Sequence, residues 1–311
     1  MIKKISVVVP VYNEEKNIDF FLEKLIINLK KIELDYEIVF VLDPSQDQTE
    51  IKIMKHAETN NKIKLICMSR RFGQPQSTMA GIQNITGDRC VVIDCDLQDP
   101  PSLLPEMNNK INEGYDVVVA KRKTREGETF IKKLITKIGY YLINKITDIQ
   151  IPTDVGDFRI FSKKVIDELK KFNDKAAFLR GLVSYIGFKQ TYILYDRDKR
   201  FQGSGNYNKY FGSLKIAING IVGFSSKPLF LISILGFFLL IFSIMAILFS
   251  IIFSILIKNI FSTYLVLSLG AMLIFGINFF SIGLLGEYIG RIYDEVNKRP
   301  SYIIEKKINF E

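Results

Sequence analysis

The stretch VVIDCDLQDPP, residues 91–101, holds the densest chemistry in the chain. An apolar run that reads as a buried strand ends in Asp94-Cys95-Asp96. That spacing sets two carboxylates at i and i+2, on one side of an extended chain and able to face one ligand. Hard oxygen donors suit Mg2+ or Mn2+, and Mg2+ is usually held by one or two carboxylates together with substrate phosphates. The stretch therefore reads as a site for a metal-diphosphate complex. A bare D-x-D arises often by chance; its place at the end of an apolar strand, followed by Gln98, Asp99 and two prolines, is what gives it weight.

Other candidates carry two readings each. In VVVPVYNEE, Pro10, Tyr12, Asn13 and Glu14 follow a strand and offer an aromatic face and polar groups to a base and ribose; the alternative is a plain turn with Asn13 capping the next helix. Asp43 in VLDPSQDQT can accept hydrogen bonds from a nucleoside or merely begin a turn, with Asp47 as the following helix cap. Asp157 in VGDFRIF can orient an acceptor or a sugar, or can pair with Arg159 or cap a turn. Arg197 and Arg200 in YDRDKRFQGSGNY suit an arriving phosphate headgroup. The same two residues also suit a polybasic juxtamembrane stretch attracted to anionic lipid. His56, the one histidine, sits in a polar helical stretch and reads as a surface residue, so no His-based acid-base or metal chemistry is expected. Cys67, Cys90 and Cys95 show no C-x-x-C spacing and read as reduced core residues.

These residues need a frame. Ile5–Tyr12, Tyr36–Leu42, Ile63–Met68, Arg89–Cys95 and Asp116–Ala120 are short Val- and Ile-rich runs that read as buried strands. Helical patterns lie between them at about 14–30, 47–58, 76–85 and 101–112, the last with proline in its first turn. Alternation of strand and helix predicts an α/β fold with a mostly parallel, doubly wound sheet. In such sheets ligands bind beyond the carboxyl ends of the strands. Asn13 and Glu14, Asp43, Asp94 and Asp96, and Lys121 and Arg122 all fall there.

The remaining third is of another kind. From Leu229 to Leu285 only Lys258 interrupts an uncharged run, enough for two segments of the roughly 20 residues that cross a bilayer as helix. Lys209, Lys215 and Lys227 precede the pair and Arg291, Lys298 and Arg299 follow it, so the positive-inside rule puts both ends in the cytoplasm. Residues 128–146 and 207–224 place lysines opposite apolar residues at helical spacing and suit a membrane surface; for the first, an ordinary helix covering the domain is the alternative. The formal net charge of +9 implies a polyanionic partner, and the membrane segments favour lipid headgroups or phosphate-bearing substrates over nucleic acid. Gly-bearing faces on the spans fit packing against further copies of the chain as a homo-oligomer. The tail SYIIEKKINF alternates like a strand and can pair with a sheet edge.

At this point the chain resembles a known group. VVVPVYNEE, SRRFGQPQSTMAGI, VVIDCDLQDPP, GYDVVVAKRKTREGE, VGDFRIFSKKV and RGLVSYIGF occur in the order found in the inverting glycosyltransferases of family 2, and two spans follow. Within that family the resemblance is to the polyprenyl-phosphate hexosyltransferases. It implies a cytoplasmic domain of GT-A fold over residues 1–206, an amphipathic juxtamembrane segment over 207–228, spans over 229–257 and 263–286, and a cytoplasmic tail over 287–311. It implies that Asp94, Asp96 and Gln98 hold the metal and donor diphosphate. By the same resemblance Pro10, Tyr12, Glu14 and Asp43 hold the nucleoside, and Arg122, Lys133, Arg197 and Arg200 the phosphates of donor or acceptor. The implied reaction moves one hexose from a nucleotide sugar, UDP-glucose first, to polyprenyl phosphate at a bilayer. Two departures stand out: the family's D-D-G-S after the second strand is Leu42-Asp43-Pro44-Ser45, and Gly205 replaces a common lysine. A glycan-extending transferase would carry more spans and a Q-x-x-R-W pattern, whereas this chain has no tryptophan. A non-catalytic nucleotide-binding scaffold is the third alternative, and the intact Asp94, Asp96 and Gln98 set argues against it.

Overall fold

The structure, a computed structural model, describes residues 2–123, 155–173, 178–196, 227–257 and 260–310. They divide into two compact units, one holding the N-terminal two-thirds together with residues 300–311, the other holding the long apolar helices.

The first unit is built on eight strands: β1 (Lys4–Val11), β2 (Asp35–Leu42), β3 (Ile63–Met68), β4 (Arg89–Val92), β5 (Val117–Arg122), β6 (Val155–Ser162), β7 (Gln190–Tyr195) and β8 (Ile304–Ile308). Its helices are α1 (Ile18–Lys30), α2 (Thr49–Thr59), α3 (Gln74–Asn84), α4 (Leu104–Asn112), α5 (Lys163–Leu169) and α6 (Leu179–Ile186). Strand order is β7-β5-β6-β4-β1-β2-β3-β8. The pairs β1–β2, β2–β3, β1–β4 and β5–β7 are parallel, and β4–β6, β5–β6 and β3–β8 antiparallel. This is the expected α/β class with a mostly parallel, mixed sheet of GT-A-like kind. Strand order reverses at β1, between β2 on one side and β4 on the other.

The central strands are apolar on both faces because both are covered. Odd positions of β1 (Ile5, Val7, Val9, Val11) join Phe40, Phe21, Leu25, Ile53 and Met107 in the core shared with α1, α2 and α4. The opposite face meets α3 so closely that a Cβ on Gly81 would lie 2.3 Å from Val8 Cγ1. Only glycine permits that approach.

Several boundaries differ from the sequence reading. β4 ends at Val92, three residues before Cys95, because the chain turns at Cys95-Asp96. The first helix begins at Ile18 rather than Glu14, because residues 13–15 are held by hydrogen bonds to the loop after β2 and to the first residue of α2. Pro101–Leu103 forms a 3-10 turn before α4. The segment VGDFRIFS is the antiparallel strand β6, absent from the five expected strands. The tail does pair with a sheet edge: β8 lies antiparallel to β3, Lys306 bridges to Glu50 at 2.5 Å, and Asn309 Nδ2 donates to the Ala57 and Ile63 carbonyls at 2.8 Å each.

The second unit contains α7 (Lys227–Ile257) and α8 (Ile260–Val296). Within α8, Gly270–Val296 is long and apolar enough, by length and composition, to cross a membrane. Phe237, Phe238, Phe275, Phe279 and Phe280 are each more than half exposed. Such a surface suits lipid rather than water. The amphipathic stretches around 128–146 and 207–226 lie outside the described residues.

Candidate active site

The carboxyl edges of β1, β2, β4, β5 and β7, with the amino end of antiparallel β6, form one rim of the sheet. At its centre the β1 and β4 ladders part. The Val8 carbonyl accepts the Ile93 amide, and alternation along a strand turns Pro10 to the same side, beyond the last pairing of Val8 with Val92. A proline there costs no ladder bond. The crevice opens at the strand-order reversal, where ligands of open α/β sheets bind.

Tyr12, Asn13 and Glu14 leave β1 at this point. Asn13 is left-handed at φ 54°, a conformation asparagine tolerates. Its amide donates to Ser45 Oγ at 3.0 Å, and its Oδ1 accepts the Gln46 amide at 2.9 Å. Glu14 donates its amide to Thr49 Oγ1 at 2.8 Å, and its carboxylate accepts Asn17 Nδ2 at 2.6 Å. Asn13 therefore stitches two loops together rather than capping α1. Asp47, expected as the cap of α2, stands one residue before the cap Gln48, and its carboxylate accepts both the Thr49 amide and hydroxyl. The Tyr12 ring presents an aromatic face with the Arg71 guanidinium 4.0 Å from its centroid.

Asp43 is 3 % exposed and its carboxylate is spoken for. It accepts the Phe72 amide at 3.1 Å, the Gly73 amide at 2.8 Å and the Ser77 hydroxyl at 3.4 Å. The turn it organises is thus the one between β3 and α3, where Gly73 takes φ 93°. At the next residue Gln74 Nε2 donates to Asp94 Oδ1 at 2.8 Å. Asp43 and Asp94 are thus linked through the adjacent residues Gly73 and Gln74.

Residues 94–98 are a turn, not the extended chain inferred from spacing. Leu97 adopts φ 59°, which costs a side-chain-bearing residue about 1–2 kcal/mol, and its burial at 6 % exposure holds it there. Asp94, Asp96 and Gln98 are half-buried, while Cys95, Leu97 and Asp99 are buried. Asp96 Oδ1 accepts the Gln98 amide at 3.1 Å. Among the described residues no group of three or more His, Cys, Asp or Glu side chains encloses a metal by itself. Two carboxylates and an amide oxygen fit a hard dication that completes its shell with phosphate and water.

The other half of the rim surrounds β6. Asp157 meets Arg180 Nε at 3.1 Å and Arg159 Nη2 at 3.7 Å. Burial works against the charged carboxylate, but Arg180 and Arg159 outweigh it and hold Asp157 below the usual range. Arg180, in the RGLVSYIGF segment, is the partner that spacing did not reveal. On the opposite face Arg122 Nε donates to the Tyr195 hydroxyl at 3.4 Å, and that hydroxyl donates to Asp99. Burial pushes the Tyr195 phenol up, and the Asp99 charge adds to it. Lys133, Arg197 and Arg200 lie outside the described residues. Cys67, Cys90 and Cys95 are free and buried, and burial raises the Cys67 thiol to about 11, far from a reactive thiolate. His56 sits on the surface, 2.8 Å from Asp19.

The fold is of GT-A-like kind. The profile of Glycosyl transferase family 2 matches residues 6–170, and the chain belongs to that family. YkcC of Bacillus subtilis, an uncharacterized glycosyltransferase, is 40 % identical over 311 residues, covering 98 % of this chain and 94 % of that one. A bactoprenol glucosyl transferase of Shigella phage SfII is 35 % identical over 305 residues, covering 97 % and 98 %. Among solved structures, glucosyl-3-phosphoglycerate synthase from Mycobacterium tuberculosis, in complex with Mn2+, uridine diphosphate and phosphoglyceric acid, superposes with a TM-score of 0.51 at 17 % identity, over 71 % of this chain and 76 % of that one.

Proposed function

We propose that the chain is a membrane-embedded, inverting hexosyltransferase that moves one sugar from a nucleotide sugar, UDP-glucose first, to a polyprenyl phosphate such as undecaprenyl phosphate. The observation that carries this reading is the 35 % identity to a bactoprenol glucosyl transferase across 97 % of the chain, apolar helices included. In this reading α7 and α8 span the bilayer, with the catalytic domain and the tail on the cytoplasmic side.

Displacement at an anomeric carbon passes through an oxocarbenium-like state, so the departing diphosphate needs stabilising and the nucleophile must arrive on the opposite face of the sugar. Asp94, Asp96 and Gln98 would hold Mg2+ or Mn2+, which when bound neutralises charge on the diphosphate; the fold relative carries Mn2+ with its uridine diphosphate. Tyr12, Asn13 and Glu14 would seat the nucleoside in the crevice that Pro10 opens, with Asp43 fixing the adjoining loop. The acceptor needs little help from a base, since a phosphate monoester with a second pKa near 6 is already largely ionised at neutral pH. Asp157, kept charged by Arg180 and Arg159, can orient a sugar hydroxyl by accepting its proton in a hydrogen bond. Arg122, with Lys133, Arg197 and Arg200, would pair with phosphate.

The test is transfer of label from a panel of nucleotide sugars into organic extract, using detergent-purified chain, undecaprenyl phosphate and Mg2+ or Mn2+. One donor should label the lipid, and Asp96→Asn should lower transfer by about a hundredfold or more. Transfer retained in Asp96→Asn would remove the role given to the aspartates. Label entering only a glycan acceptor would replace polyprenyl phosphate by an extending reaction.

A further inference from the structure

Arg122 is the cation of the described rim that the phosphate-binding reading depends on, and three segments distant in sequence converge on it. Its Nε donates to the Tyr195 hydroxyl at 3.4 Å, and that hydroxyl donates onward to the Asp99 carboxylate. Tyr195 is 4 % exposed and Asp99 3 %. A carboxylate this deep is costly unless its charge is answered. Part of the answer comes through a shared hydroxyl, which links an anion to a guanidinium.

Gly156 completes the arrangement. A Cβ built on it would lie 3.3 Å from Arg122 Nη2 and 3.8 Å from Asp99 Oδ2, so the glycine leaves the space in which the guanidinium lies. Its backbone angles do not require glycine, since its φ is not in the left-handed region. The space beside Arg122 is the reason that remains.

We infer that Asp99, Tyr195 and Gly156 are positioning residues that set the Arg122 guanidinium for a substrate phosphate. Gripping an arginine by Nε rather than by its terminal nitrogens leaves the flat Nη pair for the two-pronged pairing that phosphate oxygens favour. Without the Tyr195 hydroxyl the guanidinium keeps its charge but loses its fixed plane, and a phosphate then meets a mobile cation. The inference rests on the proposed phosphate role of Arg122. Donor diphosphate and acceptor monoester share the chemistry, so the experiment has an arm for each.

Tyr195→Phe, which removes only the hydroxyl, and Arg122→Ala are made singly and together in the full chain, with Gly156→Ala as an independent disturbance of the same guanidinium. Dissociation constants for UDP and for undecaprenyl phosphate are measured in detergent, alongside KM and kcat for transfer. Tyr195→Phe and Gly156→Ala should each weaken one of the two ligands about tenfold, raising its KM with kcat changed far less. Tyr195→Phe should add nothing further once Arg122 is alanine, because its effect passes through that side chain. A merely structural hydroxyl would lower the melting temperature and cost the same in both backgrounds. Additive losses, or unchanged affinity for both ligands in Tyr195→Phe and Gly156→Ala, overturn the inference. If the wild type transfers no sugar while the binding cycle is non-additive, the transfer reading fails and the positioning role stands.

Discussion

Replacing Asp43 by asparagine separates two uses of one carboxylate. The side chain is 3 % exposed and accepts the Phe72 and Gly73 amides at 3.1 and 2.8 Å through different oxygens, with the Ser77 hydroxyl at 3.4 Å from the first. Asparagine keeps the shape but turns one oxygen into a donor that must face another donor. A hydrogen bond to a charged acceptor is worth about 1.5–3 kcal/mol, and leaving a buried amide unsatisfied costs about 1–3 kcal/mol. One bond lost and one weakened therefore costs about 3 kcal/mol. For a domain of this size that lowers the melting temperature by roughly 6–12 °C. The assay is thermal unfolding of the detergent-purified chain, followed by hydrogen exchange at residues 72 and 73, whose amides should lose protection. Affinity for UDP should fall as a consequence of the loosened loop. An unchanged melting temperature and unchanged exchange, with UDP binding lost, would show that the carboxylate serves the nucleotide directly and refute the loop-holding role.

Two further outcomes follow from the packing. Glu37, buried at 1 % exposure, is desolvated, but Ser6, the Thr86 amide, Lys4 and Lys64 more than offset this and bring it from 4.5 to about 2. Its folded pKa is depressed, so its contribution of about 3 kcal/mol is present above pH 4.5 and lost as pH falls towards 2; Glu37→Gln should narrow its stability gap from wild type by about 2 kcal/mol between pH 7 and pH 3 in urea melts. A gap independent of pH would mean that the charge is not what matters there. Gly81→Ala should cost about 1–3 kcal/mol, because the new methyl meets Val8 at 2.3 Å, and an unaltered unfolding midpoint would show that α3 shifts freely.

Local pattern carried the first half of the fold well, since β1, β2 and β3 are mainly apolar runs rich in Val and Ile. It also located polar residues at one end of the sheet, Asn13 and Glu14 after β1 and Asp43 after β2. What it lost depends on distant pairing. β6 alternates weakly and becomes a strand through β4 and β5 on either side. Asp94 and Asp96 were legible from their spacing, but the left-handed Leu97 that follows them was not, because leucine carries no signal for that conformation. Arg180 with Asp157 and Tyr195 with Asp99 join residues 23 and 96 positions apart. Gln74 and Arg71 sat within a quoted motif without any role, and only the meeting of the first residue of α3 with the segment after β4 shows what Gln74 touches. Asp43 looked like a ligand contact or the start of its own turn, and the amides it holds belong to a loop 29 and 30 residues away.

The last strand bears on how the protein is made. β8 belongs to the same sheet as β1, yet α7 and α8 are synthesised between them. While the ribosome is still adding those apolar helices, the outer edge of β3 has no partner and offers open backbone groups to any passing strand. Folding of the first unit therefore finishes only after the apolar helices have emerged. A nascent chain stalled at Ile260 should be more easily cleaved around β3 than the released protein, which couples completion of the sheet to the fate of the helices.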